Sequence, residues 1–302
     1  MSGEANTFKS IIYALIANAS IAVAKFFAAF HTGSGAMLAE AIHSTADSGN
    51  QLLLLLGIKQ SQKPATEEYP LGFGKSVYFW SFVVAIVLFS VGGLFSVYEG
   101  WHKINHPEPL ESPWIAIGVL IFAILAEGGS FWGCIKEVNK VRDGRSYWQW
   151  FKESRQSALI VIFGEDFAAL MGLTLALIAV VASMVTGNPL YDALGSMSIG
   201  VLLIIVAWFL SIEIKDLLIG QSATPAMRKE LDEFLNNRSE IHKILNVITL
   251  QLGDDVMVSI KAHMTEEKDA KKMVADINQI EVAMREQFSE IRWSFFEPDY
   301  KD

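Results

Sequence analysis

His43 and Asp47 stand four residues apart inside a largely apolar stretch, so on a helix both side chains leave one face about one turn from each other. That spacing lets an imidazole nitrogen and a carboxylate oxygen meet one divalent cation. Asn50 and Gln51 extend the same polar stripe, and Asp166, in a later apolar stretch, is the natural partner from another helix. The remaining ionisable groups inside apolar sequence are Lys25, Glu40, Glu127 and Glu165. An acid at the centre of a membrane helix costs about 2.5–3.5 kcal/mol on insertion scales, so such a set needs a water-filled path, a metal or mutual pairing. By spacing alone two readings stay open, a cation centre and a hydrogen-bonded interface between helices.

Glu127, between Ala126 and Gly128, has no neighbouring base, and structural pairing fits it as well as a proton or metal role. Glu40 is expected to face a loop or headgroup near the outer end of its span. Lys25 is expected to pair with an acid or to snorkel. The single Cys134 permits neither an internal disulfide nor a thiolate cluster and reads as packing.

The elements that must position these groups are membrane helices. Of 302 residues 52% are hydrophobic and 19% charged, and mean hydropathy is +0.33. An ordinary soluble protein carries about 25% charge. Stretches 79–98, 114–126, 167–191 and 193–212 hold no ionisable side chain except tyrosine, and most reach the roughly 20 residues that span a hydrocarbon core. A soluble enzyme, a secreted disulfide scaffold and a disordered chain are thereby excluded. The net charge of -9 argues against nucleic acid as a partner.

The expected spans are residues 8–30, 37–58, 77–101, 113–136, 157–186 and 190–218. Only Glu4 and Lys9 precede the first apolar run, which lacks a clear small-residue cleavage site and is expected to stay in the mature protein. Lys59, Lys63 and Lys75 follow span two, and Lys136, Lys140, Arg142, Arg145, Lys152 and Arg155 follow span four, whereas the opposite side offers Lys103. The positive-inside rule then puts both termini in the cytoplasm, or in the matrix of an organelle.

After Asp216 charges return, dividing the chain into a membrane domain, 1–218, and a small soluble domain, 219–302. Thr224-Pro225 reads as a helix start. Leu245 to Leu252 is a strand, and Gly253-Asp254-Asp255 supplies turn chemistry. Val256, Val258, Ile260, Ala262 and Met264 alternate with polar neighbours as a half-buried strand. Met273, Ile277, Ile280, Met284 and Phe288 sit at helix spacing, and Ile291 to Phe296 is a last strand.

Several segments carry a family likeness. The run Gly35-Ala36-Met37-Leu38-Ala39-Glu40-Ala41-Ile42-His43-Ser44-Thr45-Ala46-Asp47 resembles the second-span signature of the cation diffusion facilitator family, proton-coupled exporters of zinc and related divalent metals. Tyr69-Pro70-Leu71-Gly72-Phe73-Gly74 is similar to the family's cytoplasmic His-Pro-Tyr-Gly motif, with tyrosine in the histidine's place. The likeness covers nearly the whole chain. It is nearest the branch containing the ninth mammalian zinc transporter, through Glu127-Gly128-Gly129, Gly144-Arg145-Ser146-Tyr147, Glu165-Asp166 with Ala168-Ala169-Leu170-Met171-Gly172, and Gly187-Asn188-Pro189-Leu190-Tyr191-Asp192.

The resemblance implies an α-helical membrane protein of six spans with a ferredoxin-like α+β cytoplasmic tail that regulates and dimerises. It implies a homodimer in an inner or organelle membrane, no cofactor and no enzymatic activity. It also implies export of a divalent cation, zinc first, by alternating access. His43, Asp47 and Asp166 carry over as ligands. Ile162 stands where most members have a His or Asp, so Glu165 and Glu127 are the acids left to complete the set. One imidazole among carboxylates also suits manganese or ferrous iron. His242, His263, Asp254 and Asp255 are candidate tail ligands, although ordinary solvated residues is the stronger reading because no ligand-spaced motif joins them. Two other classes remain in view. One is a non-transporting scaffold of the same fold, raised by Ile162; the other is an intramembrane aspartyl protease, whose Gly-x-Gly-Asp arrangement is missing.

Overall fold

A computed structural model describes the backbone of residues 3–107, 110, 112–265 and 269–301, with side chains from residue 18 onward. The side chains of Glu4 and Lys9 lie outside the described residues. By contacts the chain forms two compact units. One comprises 1–57, 80–145 and 158–214; the other gathers 58–79, 146–157 and 215–302.

The first unit is helical. Helices α1 (Gly3–Thr32) and α2 (Gly35–Ser61) are followed by a continuous helix, Ser76–Asn105, made of α3 (Ser76–Val87), a π-helical segment (Leu88–Leu94) and α4 (Phe95–Asn105). Then come α5 (Pro113–Val141), α7 (Ser157–Thr186) and α8 (Leu190–Ile219); between α5 and α7 the short α6 (Tyr147–Glu153) belongs to the second unit. Among the described residues four helices are long and apolar enough to cross a membrane: Ser76–Asn105, α5, α7 and α8. Large apolar side chains such as Leu125, Ile178, Val185 and Trp208 are exposed on them. Helix α2 has a span's length, 27 residues, but its polar stripe lowers its apolar character.

Tight turns join neighbouring helices. Gly33 between α1 and α2 and Gly187 between α7 and α8 have φ of 63° and 67°, the left-handed conformation that ends a helix without a Cβ clash. Helices α4 and α8 meet backbone to backbone. A Cβ on Gly100 would lie 2.6 Å from Met197 N, and one on Gly200 2.6 Å from Val97 N. Without aqueous driving force, such close approach supplies packing contacts between membrane helices.

Asp192 organises one end of the bundle. Its Oδ1 accepts from Ser34 Oγ at 2.5 Å and its Oδ2 from Gly35 N at 2.7 Å, so a residue of α8 caps the first turn of α2. Lys103, on α4, lies 3.7 Å from the same carboxylate and also donates to Gly33 O. Three helix ends thus meet at one charge, which the positive end of the α2 dipole also favours. Asp192→Asn is expected to lose about 1–2 kcal/mol. A lowered apparent melting temperature in detergent would register it, and an unchanged one would show that the cap is dispensable.

In the second unit Thr224 caps α9 (Pro225–Asn236), its side chain accepting from Met227 N at 3.3 Å. Strands β1 (Ile241–Leu252) and β2 (Asp255–Met264) pair antiparallel, with Val247 opposite Ile260 and Thr249 opposite Val258. After α10 (Ala270–Gln287), β3 (Ile291–Pro298) pairs parallel to β2. The sheet order is β1-β2-β3. The elements run helix, strand, strand, helix, strand around a three-stranded sheet. Val256, Val258, Ile260, Ala262 and Met264 all face the core, against Leu231 and Leu235 of α9 and Ile280 and Met284 of α10.

Two segments from earlier in the chain, 58–79 and 146–157, belong to this unit. Tyr78 Oη accepts from Gly253 N at 2.9 Å and donates to Gly253 O at 3.2 Å, clasping the β1–β2 turn. Gly74 presses on the Leu252–Gly253 backbone so closely that any Cβ would collide. Arg155, just after α6, donates from Nε to Ser222 O at 2.8 Å. In the Tyr69–Gly74 motif Gly74 thus serves a close backbone approach and Gly72 a left-handed turn, with φ of 74°. Tyr69 itself is exposed and rests on the Phe73 ring.

Candidate metal centre

The centre lies in the first unit and is built from α2 outward. His43 is fully buried, and its Nδ1 lies 3.5 Å from Asp47 Oδ1, too long for a good hydrogen bond. Among the described residues neither ring nitrogen of His43 has a hydrogen-bond partner, nor has Asp47 Oδ1, Asn50 Oδ1 or Gln51 Oε1. Buried polar atoms are ordinarily satisfied, and exceptions call for an explanation. Here they cluster on one helix face.

The π-helical segment Leu88–Leu94 passes beside this face. A Cβ on Gly92 would lie at ordinary contact distance, 3.8 Å, from His43 Nδ1 and tighter, 3.1 Å, against Leu203 Cδ1, so the segment packs between the ring and α8. π segments inside longer helices recur at functional sites.

Helix α7 offers two acids in different directions. Glu165 is buried, and its Oε1 accepts from Asn50 Nδ2 at 2.5 Å, which ties α7 to the α2 stripe. Asp166, about 100° further round the helix, accepts from Ser130 Oγ of α5 at 3.4 Å. Glu127 of α5 is 8% exposed, and the charges of Glu165, Glu127 and Asp166 all act on Asp47. Ile162 is 36% exposed, too open for a buried ligand position. Among the described residues no three His, Cys, Asp or Glu side chains already stand close enough to enclose an ion.

Glu40 differs from expectation. It is fully buried rather than turned to a loop or headgroup, because Lys25 of α1 reaches it: Nζ donates to Glu40 Oε2 at 3.2 Å and to Ser44 Oγ at 2.5 Å. Room for the carboxylate comes from Gly172 of α7. Cys134 is buried and free. In the second unit the His242 and His263 rings meet edge to face at 4.9 Å, and Asp255 Oδ2 accepts from Arg292 Nη1 at 3.1 Å, so that carboxylate already has a partner.

A bundle of apolar helices enclosing one imidazole and several carboxylates defines a multi-pass integral membrane protein with a buried polar centre. A family model described as the cation efflux transmembrane domain matches residues 11–219. The human proton-coupled zinc antiporter SLC30A9, mitochondrial, is 35% identical over 81% of this chain and 44% of its own length. Metal tolerance protein C4 of Arabidopsis thaliana is 29% identical over 81% of this chain and 54% of its own. Magnetosome protein MamB of a Magnetospira strain is 25% identical over 82% of this chain and 78% of its own.

The chain belongs to the cation efflux family. That places it among transporters rather than enzymes, and the relatives agree with the branch likeness carried by Glu127-Gly128-Gly129 and Glu165-Asp166. It spans less than half the length of the human relative.

Proposed function

We propose that the chain exports a divalent cation, zinc in first place, in exchange for protons, by alternating exposure of a centre built on His43, Asp47 and Asp166. The observation that carries this reading is the set of buried, unsatisfied polar atoms on His43 and Asp47, one turn apart. Glu165 is the further acid that its bond to Asn50 favours, with Glu127 behind it. Helices α1 and α2 complete six spans in this reading, with both termini in the cytoplasm or matrix. Residues 219–302 serve as a cytoplasmic regulatory and dimerising domain of a homodimer. The membrane is a bacterial inner membrane or that of an organelle.

The mechanism follows from ligand chemistry. Imidazole must be neutral and carboxylate ionised to bind metal, so protons and metal compete for the same atoms. Neutral pH on the loading side favours the metal. Protonation on the release side displaces it, and the protonated centre returns. Manganese and ferrous iron are the alternative cargoes, since a carboxylate-rich set suits them.

Purified chain in sealed proteoliposomes, offered zinc, manganese or ferrous iron under an imposed proton gradient, is the direct test. Failure to move any of the three by a correctly folded chain would overturn the proposal and favour the non-transporting scaffold. For the ligand set, Glu165→Gln is expected to weaken zinc affinity about 10- to 100-fold, and Glu127→Gln less. Should calorimetry find both variants binding like the parent, three side chains with solvent hold the ion.

A further inference from the structure

Among the described residues Lys25 is the lysine with no exposed surface, and the transport step above makes no use of it. An ammonium inside a membrane bundle persists only when it is paired. Both of its acceptors, Glu40 and Ser44, lie on α2, one turn apart. Their stripe is rotated about 60° from that of His43 and Asp47, since three helical residues turn about 300°. The ion pair therefore lies alongside the centre rather than within it.

Space for the pair is built in. A Cβ at residue 172 would come 2.5 Å from Glu40 Oε1, so glycine there admits the carboxylate. The charged and titratable groups within reach of the pair's charges are His43 and Asp47 on α2 and Glu127 on α5. The Lys25 charge acts on all of these.

We infer that Lys25 and Glu40 form a charge-matched pair that sets how tightly the neighbouring centre holds its divalent cation, Lys25 favouring release and Glu40 favouring retention. This rests on reading His43 and Asp47 as a cation centre. Removing the ammonium leaves an extra negative charge beside the ion, which then binds more tightly and departs more slowly. Removing the carboxylate leaves an uncompensated positive charge, which opposes binding. Removing both restores the balance. A pair that merely braced α1 against α2 would give losses of the same sign from either single change.

The test titrates the full chain with zinc and with manganese and measures transport in proteoliposomes. Lys25→Met is expected to lower the apparent Kd about tenfold and to lower the maximal rate with it, the pattern of a slowed release. Glu40→Gln is expected to raise the Kd about tenfold. The double variant is expected to lie within about threefold of the parent, because the two changes cancel. Single changes that shift Kd in the same direction, or not at all, would overturn the inference. If one single variant fails to fold, the other must still differ from the double variant in the stated direction. Asp47→Ala run alongside keeps the two ideas apart. Loss of binding there with no opposition of sign at 25 and 40 condemns the pair alone, whereas binding retained by Asp47→Ala condemns the centre.

Discussion

Asp47→Ala is expected to abolish metal transport while leaving a folded protein with the helix content and elution profile of the parent. The reason is what Asp47 does not do. Its Oδ1 makes no hydrogen bond among the described residues, and His43 Nδ1 stands 3.5 Å from it. Removing it deletes a charge that the bundle holds at a cost, so stability changes little or rises. Binding should change greatly, because a charged ligand to the ion is lost. Uptake assays paired with circular dichroism separate the two effects. Parental transport by the folded variant would remove Asp47 from the centre.

The second large effect concerns protons. Imidazole must be neutral and carboxylate ionised to ligate, so every proton held by the centre has to leave before metal binds. Raising the loading-side pH from about 5.5 to about 7.5 should therefore increase apparent metal affinity, by up to about tenfold per pH unit for each ligand that must lose a proton. The sign on the other face is opposite, since acid there expels the ion. In sealed vesicles an acid release side should drive metal toward itself against the metal's own gradient, with protons moving the other way. An entrapped pH dye reads that counterflow. Metal flux indifferent to the imposed pH difference would mean facilitated diffusion or a channel.

The helical class, the tail's αββαβ order and the His43–Asp47 stripe were all legible in the sequence, because each follows from local periodicity. What was not legible is tertiary. Glu40 looked peripheral by position, yet its environment is set by Lys25, fifteen residues earlier, and by the missing side chain of Gly172. Glu165 and Asp166 are adjacent in sequence, but only helix rotation decides that one meets Asn50 and the other Ser130. Asp192 stood out as a motif residue, and its task as a cap on α2 depends on a turn 157 residues away. Likewise the segments 58–79 and 146–157 join the tail's unit through contacts such as Tyr78 to Gly253, which no periodicity announces.

The π-helical segment Leu88–Leu94 acts as a phase setting. A π turn holds about one residue more than an α turn, and one residue in an α-helix is worth about 100° of rotation. On one side of the segment Val84 and Ala85 are fully buried, and on the other Gly100 lies against the α8 backbone. Deleting Gly92 or Gly93 would turn one of these faces by more than a quarter revolution against the other, so both could not keep their neighbours. The angular register of the whole helix is therefore stored in a single surplus residue, and it is stored where the helix passes His43.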